Sequence, residues 1–219
     1  MPQLFLFGDS ITWGSWDPPG GGWAQRLRSE IDLYQAGNDH FWCPAYILGI
    51  PGENAEGVSK RIGAEIKARL DSTEEPVVLI AIGTNDSAVI ENGKSYSVVE
   101  FKDHLRNGLL TAQQFAKKVG LIGLLPVDDT LLTPVSWNPS ISYPLARARE
   151  FNAACREVAA QQKVPFLELW DEFENYQQSM LFDGLHPNSE GHAWMHQKVR
   201  DFLCSTKMLS QPFTKSTCP

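Results

Sequence analysis

The sequence predicts an α/β sandwich built on a mostly parallel, five-stranded sheet, and three observations predict it. Apolar runs alternate with amphipathic stretches from one end of the chain to the other, the pattern of successive β-α-β units. One run, PVVLIAI at residues 76–82, is apolar without interruption, as a strand covered on both faces must be. Polar, glycine-bearing segments follow the strand candidates, where ligands bind in open parallel sheets.

The elements follow in order. Residues 3–7 (QLFLF) read as the first strand. Trp23, Leu27 and Ile31 recur at i, i+4, i+8 and predict a helix over residues 22–34. Residues 45–50 form a second strand candidate. Asn54 is an N-cap type, and Ala55, Val58, Ile62, Ile66 and Leu70 make the buried stripe of the helix after it. Residues 76–82 are the third strand. Phe101, Leu105, Leu109, Ala112 and Ala116 mark another helix. Residues 119–125 are a fourth strand, broken by Gly120 and Gly123; residues 146–160 are helical, and residues 164–167 a short fifth strand. Ser189 is expected to cap a last helix running to about Leu203. Residues 205–219 show no periodicity and are expected to form a loosely held tail behind one domain, residues 1–204.

Composition narrows the function. The 219 residues carry 26 acidic and 19 basic side chains, a net charge of −7, with no Lys/Arg-rich block. Nucleic acid and anionic membrane surfaces are therefore not the expected partners. No stretch has the ~20 apolar residues of a membrane-spanning helix. Met1-Pro2-Gln3 supplies no positive segment ahead of LFLF, so no secretory leader is expected. Cys43, Cys155, Cys204 and Cys218 are scattered without a C-x-x-C pair, so structural zinc is not expected. Four reduced thiols in a cytoplasmic chain are.

Four polar segments converge on one sheet edge: GDSIT after the first strand, GIPGEN (49–54) after the second, GTND (83–86) after the third, and DGLHPN (183–188) before the last helix. Acyl transfer needs a hydroxyl nucleophile, a base in reach of it, a group that orients the base, and donors aimed at the developing oxyanion. Ser10 can supply the first, His186 the second and Asp183, three residues earlier, the third. The backbone N–H groups of Ser10 and Gly52 and the side-chain amide of Asn85 are the candidate oxyanion donors. Singly, each segment has a plainer reading: Asp9 or Ser10 as a cap, Asn85 as a turn residue, His186 as a surface histidine.

Together, Gly8-Asp9-Ser10, Gly52, Gly83-Thr84-Asn85-Asp86 and Asp183-Gly184-Leu185-His186 resemble the four blocks of the SGNH hydrolases, the GDSL-type esterase and lipase family. The resemblance implies a flavodoxin-like three-layer α/β/α sandwich and a serine esterase that needs no metal or organic cofactor. It assigns Ser10 as nucleophile, His186 as base, Asp183 as its orienter, and Gly52 and Asn85 as oxyanion donors beside Ser10 N–H. Around Gly52 the chain departs from the pattern, with Pro51, Glu53 and Asn54 as neighbours, and Gly49 is the alternative donor.

Other readings meet obstacles. A G-x-S-x-G elbow fails because Thr12 holds its last position and only nine residues precede Ser10. An aspartyl-phosphate enzyme using Asp9 lacks a second aspartate at Ile11. The glycine run 20–22 lacks a following G-K-[ST], and His192/His196 lack the glutamate of a metalloprotease helix, so both of those histidines are expected on a solvated or partly packed face. A non-catalytic glycan- or acyl-binding module, an acyltransferase or thioesterase, and a lysophospholipase remain as rivals on the same residues. Trp13 and Trp16 are candidates for the wall of the substrate pocket, with packing under the Pro-Gly loop as the alternative. The connections 87–97 and 126–143 are expected to overhang the crevice. The absence of an amphipathic lid helix before the site favours a small, short-chain ester, an acetylated sugar among them, as the substrate.

Overall fold

The structure, a computed structural model, describes residues 1–209. Its strands are β1 (Pro2–Gly8), β2 (Ala45–Gly49), β3 (Glu75–Ala81), β4 (Val89–Ile90), β5 (Lys118–Ile122), β6 (Ile141–Ser142) and β7 (Phe166–Leu167). Its helices are α1 (Ser10–Trp13), α2 (Gly22–Ala36), α3 (Ala55–Arg69), α4 (Val98–Phe115), α5 (Leu145–Gln162), α6 (Trp170–Phe173), α7 (Gln177–Met180) and α8 (Ser189–Ser205). Five strands form one sheet in the order β2-β1-β3-β5-β7, every neighbouring pair parallel; β4 and β6 form a separate antiparallel pair.

Side chains alternate across a strand, so each strand serves two cores. Phe5, Phe7, Val78 and Ile80 face one side and pack with Ile62 of α3, Leu109 of α4 and Phe151 of α5. Leu4, Leu6, Val77 and Leu79 face the other and pack with Leu27 of α2 and Val199 of α8. Each large apolar side chain so buried stabilises the fold by about 1.5–3 kcal/mol relative to exposure. The result is the three-layer sandwich. Strand order reverses between β1 and β3, and the crevice beyond their carboxyl ends is the topological switch point.

The structure corrects several expectations. Asn188, not Ser189, caps the last helix, its side chain accepting from the N–H groups of Glu190 and Gly191. The fourth strand stops at Ile122, because the amide of Leu124 is taken by the Asn152 side chain instead of a strand neighbour. The loose tail does not begin at 205: α8 runs through Ser205, and Met208 and Leu209 are buried in the second core, while residues 210–219 lie outside the described residues. Cys43 and Cys155 are free and buried, but Cys204 is disulfide-bonded, so four reduced thiols is not the state of this chain. Pairing depends on how closely the fold brings two sulfurs, which sequence spacing does not reveal. Among the described residues, no helix is long and apolar enough to cross a membrane.

Candidate active site

β1 runs straight into the site. Asp9 follows it as the N-cap of α1, its carboxylate accepting from the N–H of Ile11 at 2.9 Å, and Ser10 is the first residue of that one-turn helix. The capping and catalytic readings of the GDS triplet are thus compatible, since the cap is what presents the serine. At the first helical position the Ser10 N–H has no intrahelical acceptor and points out of the helix end. Helix α1 lies tight against the sheet. A Cβ on Gly49 at the end of β2 would come within 2.4 Å of the Trp13 nitrogen, so only glycine allows that approach.

Three side chains from two distant parts of the chain meet at the crevice. Ser10 Oγ lies 2.9 Å from His186 Nε2, and His186 Nδ1 lies 2.8 Å from Asp183 Oδ2. An ionised carboxylate only accepts, so Nδ1 carries the proton donated to Asp183 and Nε2 is left to accept from the serine hydroxyl. The other Asp183 oxygen accepts the backbone N–H groups of Leu185 (3.0 Å) and His186 (2.8 Å). One carboxylate therefore shapes the turn and orients the imidazole. Burial pushes the Asp183 carboxyl up, but the hydrogen bonds from the His186 ring, its N–H and the Leu185 N–H outweigh that and hold it below the ordinary aspartate range.

The candidate oxyanion donors are built on two adjoining loops. The Ile50 carbonyl accepts from Glu53 N–H at 3.1 Å, closing a turn with Pro51 and Gly52 at its centre. Gly52 sits at φ +79°, the conformation a type II turn requires at its third residue, and nothing lies within 4 Å of where its Cβ would be. Its alternative, Gly49, is packed beneath α1 and does not reach the cavity, whereas Gly52 lines it. Asn85 Nδ2 donates to the Glu53 carbonyl at 2.9 Å, and Asn85 Oδ1 accepts from the Tyr143 hydroxyl at 3.1 Å. A carboxamide has two N–H bonds, so one remains to face a ligand. The neighbouring Asp86 fastens both loops from below, its two oxygens accepting from Ala55 N–H at 3.1 and 3.0 Å. Burial drives the pKa of Asp86 up to about 7 and that of Asp9 up to about 6.

These groups border a cavity of about 580 Å³, within the usual range for small-molecule sites. Beyond the polar centre its wall is mostly apolar, with Ala88, Ile90, Trp137, Ile141, Tyr143 and Leu185 beside Lys94 and Tyr96. Both long connections contribute, and they do so by pairing: Ile90 of β4 opposes Ile141 of β6. Trp16 lines the mouth in a left-handed conformation (φ +67°) that bulky side chains rarely adopt. Its ring stacks on Phe182 (4.7 Å between centroids) and meets His186 edge-on at 6.5 Å. Trp13 is corrected: it does not line the cavity, and the residue is 58% exposed.

His192 is also corrected. It is fully buried rather than solvated, with Nδ1 accepting from Trp23 N–H (3.2 Å) and Nε2 donating to the Ser15 carbonyl (2.9 Å). His196 pairs with Glu30 at 2.8 Å. Sequence reasoning missed Tyr143, Phe182 and the β4–β6 wall. Only the length of the two loops signalled that something stood over the crevice.

Residues 6–194 match the GDSL-like Lipase/Acylhydrolase family. The chain belongs to that family. This GDSL-family protein is accordingly a carboxylic ester hydrolase. It is 28% identical over 207 residues to the isoamyl acetate-hydrolyzing esterase 1 homolog of Homo sapiens, covering 89% of this chain and 78% of that one. It is 26% identical over 215 residues to a GDSL esterase/lipase of Arabidopsis thaliana, covering 90% and 83%. In fold it is similar to a lipase/acylhydrolase from Enterococcus faecalis, with a TM-score of 0.71 at 21% identity over 94% of this chain and 97% of that one. It is likewise similar to an acetylxylan esterase from Geobacillus stearothermophilus, with a TM-score of 0.69 at 18% identity over 92% and 93%.

Proposed function

We propose that this GDSL-family hydrolase cleaves short-chain esters of apolar alcohols through a serine acyl-enzyme. Ser10 Oγ attacks the acyl carbonyl as His186 Nε2 takes its proton. The oxyanion is held by the N–H groups of Ser10 and Gly52 and the free N–H of Asn85, and Asp183 steadies the imidazolium that forms. His186 then protonates the leaving alkoxide. Water repeats the sequence from the same base, releasing the acid and restoring Ser10.

The observation that carries this reading is the pair of short contacts on one imidazole, 2.9 Å to Ser10 and 2.8 Å to Asp183. The same geometry orients the substrate. The leaving oxygen must lie within reach of His186 Nε2, so the alcohol takes the His186 side, beside Trp16 and Phe182. The acyl chain then takes the Asn85 side, against Ile90 and Ile141. The lining is mostly apolar, with Lys94 and Tyr96 among its polar members, and it supports an aliphatic ester over an acetylated sugar, most of whose hydroxyls would find no partner there. Isoamyl acetate, in the name of the human relative, joins a small acyl group to a short branched alcohol and fits this division. Competing acetate esters of ethanol, isoamyl alcohol and xylose test the reading. Preference for the isoamyl ester is expected, and preference for the sugar ester would overturn it.

A further inference from the structure

We propose that Arg147 is a positioning residue that sets acyl-chain selectivity by clamping the cavity wall at both of its feet. The proposal rests on the placement of the acyl chain given above.

Arg147 lies in the first turn of α5, outside the cavity. Its Nε donates to the Ser87 carbonyl at 2.9 Å, and its Nη2 donates to the Tyr96 carbonyl. Those carbonyls stand at the two ends of one excursion of chain, and the segment between them carries Ala88, Ile90 and Lys94, while Tyr96 itself lines the cavity. The guanidinium thus closes the loop at its base. Its plane is held in turn over the Phe151 ring, 4.8 Å from the centroid, and Phe151 is fully buried. Beyond the clamp, Glu91 N–H reaches the Ser140 carbonyl (2.8 Å) and β4 pairs with β6, so a wall fixed at its feet carries the second loop with it.

Two features separate this from an ordinary surface arginine. The chain has a surplus of carboxylates, yet among the described residues Arg147 forms no ion pair with any of them; it is half-buried and committed to backbone oxygens. Its contacts also bridge two points nine residues apart in a single loop from two different nitrogens, Nε and Nη2, whose spacing and plane the guanidinium fixes and the one mobile nitrogen of lysine does not.

The test compares wild type with Arg147→Ala, Arg147→Lys and Ile90→Ala on p-nitrophenyl esters from acetate to octanoate. Melting curves and a parallel series of acetate esters of rising alcohol length accompany it. In both Arg147 variants the spread of kcat/KM across the acyl series should narrow by about fivefold to tenfold. The change should lie in KM for the long esters, with kcat on acetate moving less, and the alcohol series should keep its spread. Lysine should fail to rescue alanine. A purely structural role would lower the melting temperature and reduce kcat on every ester alike with the spread intact, and that result overturns the proposal. If Ile90→Ala narrows the spread and neither Arg147 variant does, the wall is the acyl subsite but Arg147 does not set it. If the alcohol series changes instead, the placement of the acyl chain itself is wrong. Should Arg147→Ala not fold, Arg147→Lys alone decides.

Discussion

The Tyr143 hydroxyl donates to Asn85 Oδ1 across 58 residues of sequence, and that bond fixes which way the Asn85 carboxamide points. With Oδ1 occupied by the phenol, Nδ2 is the end left for the Glu53 carbonyl and for an oxyanion. Burial raises the Tyr143 pKa to about 12, so the phenol stays protonated and donating through the working range. Tyr143→Phe should lower kcat about fivefold, the worth of one lost hydrogen bond, with KM nearly constant. Asn85→Ala removes the donor itself and should cost about 10² to 10³ in kcat. Steady-state kinetics on one good ester checks both, and equal losses would mean that Tyr143 does more than orient the amide.

In the proposed mechanism Asp183 orients the base and does not exchange protons with it. Its hydrogen bonds hold its carboxyl below the ordinary aspartate range, so Asp183 itself should add no limb to the rate profile above about pH 4. Asp183→Asn cannot accept the Nδ1 proton in the same way and should lower kcat on the order of 10³ to 10⁴. A pH–rate profile of the wild type should show no limb at about pH 4, since the aspartates that titrate on its acid side are the buried Asp9 and Asp86, raised to about 6 and about 7. A resolved limb at about pH 4 would contradict this.

Stability should depend on pH with opposite signs at two buried aspartates. Asp17 accepts both arms of Arg26 (2.8 and 3.0 Å) and the N–H of Gly22 (3.0 Å). Burial opposes its charge, but the Arg26 hydrogen bonds win and lower its pKa to about 2. Its contribution is present above the unfolded value near 4 and is lost as pH falls toward 2. Asp17→Asn should cost about 2 kcal/mol at neutral pH and flatten this acid loss. Asp86, raised to about 7 by burial, works the other way: the folded state keeps its proton longer, so stability declines from about pH 4 to 7. Asp86→Asn should remove its share of that decline and leave the part due to Asp9, raised to about 6. Melting temperatures of both variants from pH 2.5 to 8 check the signs.

Gly49 allows α1 to sit on the sheet edge, with its Cα hydrogen facing the Trp13 and Asp9 backbone. Gly49→Ala should displace α1 and with it Ser10, costing both stability and kcat. Gly52→Ala meets no atom within 4 Å, so its penalty should be confined to the positive φ, about 1 kcal/mol, and to access at the oxyanion. A variant pair melting at the same temperature would contradict this division.

The long elements were legible because each carries its own signal. Trp23, Leu27 and Ile31 mark α2, the stripe from Val58 to Ile66 marks α3, and PVVLIAI marks β3. Apart from β7, which falls inside the strand expected at residues 164–167, the short ones were not. Helices of four residues such as α1 and α6, and strands of two such as β4 and β6, have no period to read and exist because tertiary contacts hold them. The site divides the same way. Ser10, Asp183 and His186 belong to compact motifs, so their meeting could be expected from order and placement alone. Tyr143 and Arg147 act through partners 58 and 60 residues away, and no local pattern announces such a bond. His192 was misjudged because its burial is decided by α2 and the Ser15 loop, not by its own helix.

The most direct measurement is the reaction of the wild-type protein and Ser10→Ala with p-nitrophenyl butyrate, followed by mass spectrometry of the quenched enzyme. The account predicts turnover and an acyl adduct on Ser10 in the wild type, and neither in the variant. Undiminished turnover by Ser10→Ala, or an adduct at another residue, would contradict it.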